Sequence, residues 1–228
     1  LSTQLKGIQR YDGSHFVSYM NDPRDPNSIS NNRVPCIHID SSGVIWAATY
    51  GGGLNRFDPG KNGFTHYRHN AEDESSLAND TVFALLRDHT GTLWVGTYGG
   101  LDVLNEKTGK FIHYKNIPGD TSSLSYNRVW FLYEDRQGTV WIGCGSPFFN
   151  LGETPEEGGL NRFDRTNRKF IRYLHDPNDP GTISSNKVRA IYEDRQGNFW
   201  VGSTGDGLQV MDRKTGKSGR RGGNHEHR

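Results

Sequence analysis

The chain has 228 residues, with 27 Lys and Arg against 26 Asp and Glu and a formal net charge of +1. Because basic and acidic residues are nearly equal in number, nucleic acid or an anionic membrane is not expected to be the main partner. Two cysteines are too few to form a disulfide scaffold. No apolar run approaches the roughly 18 residues that a membrane span needs. The 29 glycines and the 11% aromatic content predict many short strands joined by tight turns.

One sequence pattern, D-x-x-G-x-x-W, occurs four times, at 40–46, 88–94, 135–141 and 194–200. The copies recur at roughly 40–50 residues, and the last interval is longer because of an insertion at 146–157. In the second copy, short runs rich in β-branched and aromatic residues predict four strands, at 81–87, 93–97, 101–104 and 111–114. A period of this length with four strands per unit is typical of a β-propeller.

The predicted fold is therefore all-β, a propeller of four-stranded antiparallel blades. The repeated tryptophan, one per blade, is predicted to fill the gap between adjacent blades. Pro35 falls inside a predicted first strand, where it removes a hydrogen-bond donor and therefore indicates a bulge or a bend.

The blade boundaries follow from the repeat. We predict a partial blade at 1–30, whole blades at 31–78, 79–125 and 126–184, and a second partial blade at 185–217. Residues 218–228 are basic and glycine-rich, which predicts a disordered tail or an expression artefact. The partial blades could join to close a four-bladed ring, but we favour a fragment of a larger propeller, whose sheet edges would be exposed.

The repeat resembles the two-component regulator propeller repeat. The second unit carries the residues of that pattern at Val82, Leu85, Asp88, Gly91, Trp94, Gly96, Thr97, Gly100 and Leu101. The fourth unit carries them at Asn186, Val188, Ile191, Asp194, Gly197, Trp200, Gly202, Gly207 and Leu208. The resemblance covers about residues 1–217, and it departs from the pattern at Ala47 and Ala48, which follow the first tryptophan, and at Cys144.

This resemblance implies a function as well as a fold. Proteins of this family are typically bacterial sensors whose propellers form periplasmic input domains, linked through a membrane helix to a histidine kinase or diguanylate cyclase. The resemblance thus implies seven blades, an oligosaccharide or other small-molecule ligand, and a homodimer of the full-length sensor. Membrane contact would come only through parts outside this chain. Fold alone does not fix function.

Candidate ligand-binding residues come from the loops that vary between units, since variation on a rigid scaffold is where binding usually occurs. Phe148 and Phe149 lie in the insertion, and Tyr50 and Tyr98 hold matching positions after the second strands. Arg33, Arg128 and Lys187 precede the first strands, where they could bind acidic or hydroxylated ligands. The alternative for each aromatic residue is packing against a neighbouring blade.

No catalytic motif is present, and we expect no cofactor and no metal. Cys36, His38 and Asp40 share a strand face but supply only part of a metal shell. The paired loops at 21–29 and 175–183 lack the alternating carboxylates of a calcium loop, so we interpret them as turns. Two functions remain as alternatives to a sensor: a propeller lyase of the streptogramin-lyase type, and a protein-binding scaffold.

Overall fold

The computed structural model describes residues 6–11, 13–40, 43–145 and 157–219. Strands account for all the regular structure in these ranges. No helix occurs there, so none of the described segments could cross a membrane as a helix. The all-β propeller prediction is confirmed, because the strands form four four-stranded antiparallel sheets and one hairpin.

The strands follow one another as simple meanders. The N-terminal hairpin consists of β1 (Ile8–Tyr11) and β2 (Phe16–Tyr19). Blade 1 consists of β3 (Cys36–Ile39), β4 (Ile45–Thr49), β5 (Gly53–Asp58) and β6 (Gly63–Tyr67). Blade 2 consists of β7 (Val82–Arg87), β8 (Leu93–Thr97), β9 (Gly100–Asn105) and β10 (Lys110–Tyr114).

The remaining two blades repeat this order. Blade 3 consists of β11 (Val129–Glu134), β12 (Val140–Cys144), β13 (Gly159–Asp164) and β14 (Lys169–Tyr173). Blade 4 consists of β15 (Val188–Glu193), β16 (Phe199–Ser203), β17 (Gly207–Met211) and β18 (Ser218–Gly219). The first strands of consecutive blades contact one another, and they are therefore the innermost strands.

The repeated tryptophans lie between blades, as predicted. Trp46, Trp94 and Trp141 are at most 2% exposed. The ring of Trp94 lies 4.9 Å from that of Phe163 in blade 3, and the ring of Trp141 lies 4.7 Å from that of Phe199 in blade 4. Each of the first three blades therefore buries its large indole against the next blade, which is worth a few kcal/mol per ring, whereas Trp200 of blade 4 is half-buried.

The turn that begins each D-x-x-G-x-x-W pattern also holds the indole. In blade 2, Asp88 accepts the indole N–H of Trp94 at 2.7 Å and the backbone N–H of Thr92 at 2.9 Å. The indole bond recurs at 2.9 Å in blades 3 and 4. Blade 1 differs, because the indole N–H of Trp46 is buried and has no hydrogen-bond partner.

An arginine of the following blade reaches the turn aspartate of each of the first three blades. Arg165 of blade 3 binds Asp88 at 2.9 Å. Arg213 of blade 4 binds the corresponding Asp135 of blade 3 at 3.0 Å. In blade 2 the arginine comes instead from the end of β7, where Arg87 lies 3.6 Å from Asp40. These bonds join neighbouring blades at the face opposite the variable loops.

Three first strands contain a bulge. The register against the second strand shifts by one residue between Val82 and Ala84 in β7, and at the corresponding places in β11 and β15. Pro35 occupies that position in blade 1, and β3 begins only after it. A bulged residue is left out of the ladder, so a proline is tolerated there. Pro35 thus lies outside the first strand rather than inside it, and the described register of β3 against β4 shows no shift.

The structure also describes short strands near both ends of the repeat region. The N-terminal hairpin pairs only with itself and packs on blade 1, where Tyr19 contacts the rings of Phe57 and Phe64 at 5.1 and 5.9 Å. The described residues therefore do not form the closed four-bladed ring, in which residues 1–20 would complete the last sheet. Ser218 and Gly219, which the sequence assigned to the tail, pair with Met211 and Val210 as a short fourth strand.

Candidate functional site

One face of the propeller brings the start of each first strand next to the end of the second. The carbonyl of the residue before the first strand accepts the N–H of the residue after the second strand. In blade 1 this bond joins Tyr50 to Arg33 at 3.0 Å, and in blade 2 it joins Tyr98 to Thr81 at 2.9 Å. Gly145 and Thr204 hold the same position in blades 3 and 4. The tyrosines and the basic residues thus lie on the same face of the propeller, where the first strands begin and the second strands end.

Four aromatic side chains meet at this level, and we call them the aromatic row: Tyr50, Phe83, Tyr98 and Trp130. The ring of Phe83 lies 6.0 Å from that of Tyr50, 6.4 Å from that of Tyr98 and 4.1 Å from that of Trp130. Phe83 and Trp130 are the bulged residues of their first strands, and the register shift carries these two side chains toward the neighbouring blade.

Two arginines cover the tyrosines of the aromatic row, and we call them the rim arginines. The guanidinium carbon of Arg33 lies 4.3 Å from the centre of the Tyr50 ring. That of Arg128 lies 4.2 Å from the centre of the Tyr98 ring, and its Nη2 also donates a hydrogen bond to the Tyr98 hydroxyl. Both distances are within the range of cation–π attraction, which helps to fix the orientation of the guanidinium groups.

The aromatic row combines exposed and buried rings. Tyr50 and Tyr98 are 40% and 39% exposed, whereas Phe83 is 7% exposed and Trp130 is half-buried. Arg33 is exposed. A buried ring that supports two accessible rings gives a firm platform, because the supporting side chains lose little freedom when a ligand binds.

The structure therefore brings together four of the seven predicted ligand-binding residues, namely Arg33, Tyr50, Tyr98 and Arg128. Lys187 is only 8% exposed, unlike Arg33 in the same position of blade 1. Phe148 and Phe149 lie outside the described residues. The sequence analysis missed Phe83 and Trp130, although both follow the first valine of their strand, where the unpaired residue of the bulge falls.

The loops between the fourth and first strands have their polar side chains engaged in turns. The side chain of Asn32 accepts the N–H of Asn21 at 2.7 Å, and Asp80, Asn127 and Asn186 do the same in the next loops. Within the paired loops, Asp25 and Asp179 accept backbone N–H groups two residues ahead. These bonds agree with the interpretation of 21–29 and 175–183 as turns. No group of three or more metal-ligating side chains occurs in the part of the chain that the structure describes.

A buried polar side chain on each third strand ties such a loop to its sheet. In blades 1, 3 and 4 it is an amide that accepts the N–H of a loop serine: Asn55, Asn161 and Gln209. In blade 2 it is Asp102, which is 0% exposed and accepts the N–H of Ala78 at 2.8 Å. The ring Nδ1 of His113 lies 2.7 Å from its other oxygen, and this hydrogen bond raises the pKa of His113.

The cysteines do not belong to a reactive site. Cys144 is fully buried, and burial raises the pKa of its thiol to about 12. Burial also raises the pKa of Cys36. A thiol becomes a nucleophile or metal ligand only as the thiolate, so neither cysteine is poised for such chemistry.

Two cavities of about 510 Å³ lie under the loops rather than at the aromatic row. One is beside blade 2 and includes Asn70, Ser76 and His113 in its lining; the other is at the matching place in blade 4. Ser76 donates to the carbonyl of Asn70, and the second ring nitrogen of His113 lies 2.8 Å from the carbonyl of Glu74. Since these polar groups are used to hold the loop, the cavities are part of the scaffold.

Comparison with known proteins identifies the repeat. The family model described as "Two component regulator propeller" matches four segments of the chain, at 28–51, 76–99, 123–146 and 182–205. Each segment runs from the loop before a first strand to the turn after the second strand. Curated protein sequences, by contrast, include no significant match to the chain.

Solved structures are similar over most of the chain. The extracellular domain of a protein assigned as a hybrid two component system from B. thetaiotaomicron is 28% identical, with a TM-score of 0.75 over 96% of this chain. The extracellular domain of a protein assigned as a one component system from the same organism is 23% identical, with a TM-score of 0.63 over 94% of this chain. This chain spans 27% of the length of each.

A virginiamycin B lyase from Staphylococcus aureus is a more distant neighbour. It is 14% identical, with a TM-score of 0.57 over 89% of this chain, which spans 58% of the lyase. Identity this low shows a shared propeller fold and nothing about activity.

Proposed function

Because the chain belongs to the two component regulator propeller repeat family, we propose that it is part of the ligand-sensing domain of a bacterial signalling receptor. Its ligand is an oligosaccharide, which binds outside the cytoplasm on the aromatic row and the rim arginines. Binding controls an output module, a histidine kinase or a diguanylate cyclase, elsewhere in the full-length protein. The receptor acts as a homodimer anchored in the inner membrane, with this domain in the periplasm.

The observation that carries this proposal is the aromatic row. Sugar rings have one apolar face of C–H groups, and such faces pack well on aromatic side chains, while nearby polar groups fix the orientation. Tyr50 and Tyr98 offer accessible rings with phenol hydroxyls at their edges. Phe83 contacts both tyrosine rings, and Trp130 packs on Phe83 with the two ring centres 4.1 Å apart. The rim arginines add hydrogen-bond donors beside the rings.

The comparisons support a location outside the cytoplasm. Two similar structures are extracellular domains of proteins assigned as one or two component systems, and the first of them is 28% identical to this chain. The lyase alternative has only a fold-level likeness in its favour. The four equivalent residues before the first strands include no histidine or glutamate: Arg33, Thr81, Arg128 and Lys187.

Titration calorimetry with a panel of oligosaccharides tests the proposal. We expect saturable binding by at least one class of glycan and a loss of about tenfold or more for Tyr98→Thr, since removing a packed ring removes about 1.4 kcal/mol or more. Threonine stands in the same position of blade 4, as Thr204, and is compatible with the local backbone. The matched control is Tyr192→Thr, because Tyr192 is 60% exposed and lies near the opposite end of a first strand, β15.

The same titrations also distinguish the alternatives. A panel in which no glycan binds would overturn the sensor proposal. Glycan cleavage products, detected by mass spectrometry after incubation, would favour an enzyme instead. Binding that is unaffected by Tyr98→Thr but weakened by Tyr192→Thr would place the ligand elsewhere on the propeller.

A further inference from the structure

We propose that the loop between β6 and β7 is held by a pH-sensitive latch, the contact between the ring of His113 and the carbonyl of Glu74. The latch closes when the ring is protonated and opens when the ring is neutral. We call residues 68–81 the latch loop. This inference goes beyond the proposed function and does not depend on it. It rests on the contacts of one ring and on the non-titrating versions of the same arrangement in other blades.

Both ring nitrogens of His113 face hydrogen-bond acceptors. Nδ1 lies 2.7 Å from a carboxylate oxygen of Asp102 on β9, and Nε2 lies 2.8 Å from the carbonyl oxygen of Glu74 in the latch loop. A neutral imidazole carries one N–H group, whereas the protonated ring carries two. Only the protonated ring can therefore donate to both acceptors at once, and this is the closed state of the latch.

Loss of one proton breaks the contact with the loop rather than the contact with the strand. A hydrogen bond to a carboxylate is about twice as strong as one to a neutral carbonyl. The side chain of Asp102 is also 0% exposed, so a carboxylate oxygen without a donor would be costly there. The remaining proton therefore stays on Nδ1 of His113. Nε2 then presents its lone pair to the carbonyl of Glu74, and that hydrogen bond is lost.

The groups around the ring set the pH at which the latch opens. The hydrogen bond to Asp102 raises the pKa of His113, partial burial and the charge of Lys115 oppose this effect, and the net direction is upward. The titratable side chains of the latch loop that line the same cavity are His69, Asp73 and Glu74. Because the pKa is raised, the latch is closed at about pH 6.5 and opens as the pH rises through the raised pKa.

Two other blades hold the corresponding loop without a titrating pair. In blade 1, Nε2 of His66 lies 2.8 Å from the carbonyl of Ser28, and the cross-strand neighbour of His66 is the neutral Asn55. A neutral ring can keep its single proton on Nε2, so this contact does not require protonation. In blade 3, Arg172 donates to three loop carbonyls at 2.7–2.9 Å, and arginine stays protonated in proteins.

Opening of the latch affects the tip of the loop and not its end. The N–H of Ala78 donates to the other oxygen of Asp102 at 2.8 Å, and this bond does not depend on the charge of His113. At the tip, the carbonyl of Ser75 accepts the N–H of Phe111 at 2.8 Å, and this is the nearest bond that the latch supports. Since the tip lines the cavity of about 510 Å³ beside blade 2, opening exposes that cavity to solvent.

Amide hydrogen exchange, measured by mass spectrometry between about pH 6 and about pH 9, tests the latch. Each rate is divided by that of the urea-unfolded chain at the same pH, which removes the chemical pH dependence of exchange. We expect peptides covering 70–77 and Phe111 to lose about tenfold in protection as the pH rises, the value of one hydrogen bond to a charged group. The internal control is blade 1, where Phe64 donates to the carbonyl of Asn27 at 2.7 Å and should keep its protection.

Two substitutions taken from the chain's own repeats remove the pH dependence. His113→Arg introduces the residue of blade 3 and should keep the tip protected throughout the interval. Asp102→Asn introduces the residue of blades 1 and 3, and protection of the tip should then be independent of pH. Urea melts at the lower pH establish that both variants are folded, and either variant alone suffices for the test.

Three results would overturn the inference. The first is a tip whose protection is unchanged across the interval in the parent protein. The second is an equal loss in the matching loop of blade 1, which would indicate a general loosening of the propeller. The third is a pH-dependent loss that persists in both variants, which would assign it to another group. None of these results concerns glycan binding at the aromatic row, so the proposed function stands or falls separately.

Discussion

Replacing Trp94 and Trp46 by phenylalanine, one at a time, separates two roles of the repeated tryptophan. Both indoles are buried against the next blade, Trp46 at 0% and Trp94 at 2% exposure. Their N–H groups differ, because that of Trp94 donates to Asp88 at 2.7 Å and that of Trp46 is buried without a partner. The same substitution therefore removes a hydrogen bond from blade 2 and an unpaired donor from blade 1.

The expected difference follows from these contacts. The loss of ring volume is the same in both variants and cancels in the comparison. A hydrogen bond to a charged acceptor contributes about 1.5–3 kcal/mol, and a buried unpaired donor costs about 1–3 kcal/mol. Trp94→Phe loses the stabilising hydrogen bond to Asp88, whereas Trp46→Phe removes the destabilising unpaired donor. Because Arg165 still binds Asp88 in the variant, we take the lower end of both contributions and expect Trp94→Phe to be more destabilising by about 2.5 kcal/mol.

Equilibrium unfolding in urea, followed by far-UV circular dichroism, measures the difference. The two variants should have the same m-value as the parent, so that the shift in midpoint reports stability. If the two losses agree within about 0.5 kcal/mol, the usual limit of additivity, the Asp88–Trp94 hydrogen bond contributes nothing beyond packing and the reasoning fails. A changed m-value would indicate that the blades unfold separately.

Three further predictions concern titratable groups. The hydrogen bond that the ring of His113 donates to Asp102 raises the pKa of His113. The pair therefore contributes stability that is complete at about pH 6.5 and is lost as the pH rises through the raised pKa. In Asp102→Asn the urea midpoint should depend less on pH over this interval. Hydrogen bonds, the strongest of them from the Trp200 indole, lower the pKa of Asp194 to about 2. Trp200→Phe removes that bond and should raise this pKa, so acid unfolding should shift to higher pH. Because burial raises the pKa of Cys144 to about 12, iodoacetamide should label this thiol at about pH 8 only when urea unfolds the protein.

Each of these has a result that would contradict it. Asn55→Asp would place a carboxylate opposite His66 in blade 1 and should create a second pH slope; a flat profile in both the parent and this variant would refute the role of the pair. An unchanged acid midpoint in Trp200→Phe would show that the other hydrogen bonds of Asp194 suffice. Labelling of Cys144 in native protein, at the rate of an exposed thiol, would mean that blade 3 opens locally.

The sequence predicted the blades because their signals are local. The aspartate, glycine and tryptophan of one pattern lie within seven residues, and the glycine takes the positive φ that the turn requires, +83° at Gly91. Burial of Trp94 between blades followed from its size and periodicity alone. Pro35 marked the late start of β3 through its missing donor. In each case the cause and its effect lie within a few residues of one another.

What the sequence did not predict depends on distance along the chain. Arg165 reaches Asp88 across 77 residues, and nothing in either segment singles out that pairing. The position of Trp130 against Phe83 depends on the register shifts of two different strands. The short strand at Ser218 depends on pairing with β17 rather than on any propensity of its own. Such contacts are set by how blades stack, which a pattern within one repeat does not encode.

The bulge in three of the first strands gives each of those blades one residue that the ladder does not constrain. These residues are Phe83, Trp130 and Arg189, two aromatic rings and a cation, and Pro35 holds the aligned place before β3. Because the ladder bypasses the bulged residue, exchanging one for another leaves the sheet intact. The chemistry of this surface can therefore change one blade at a time, while the framework of strands stays constant.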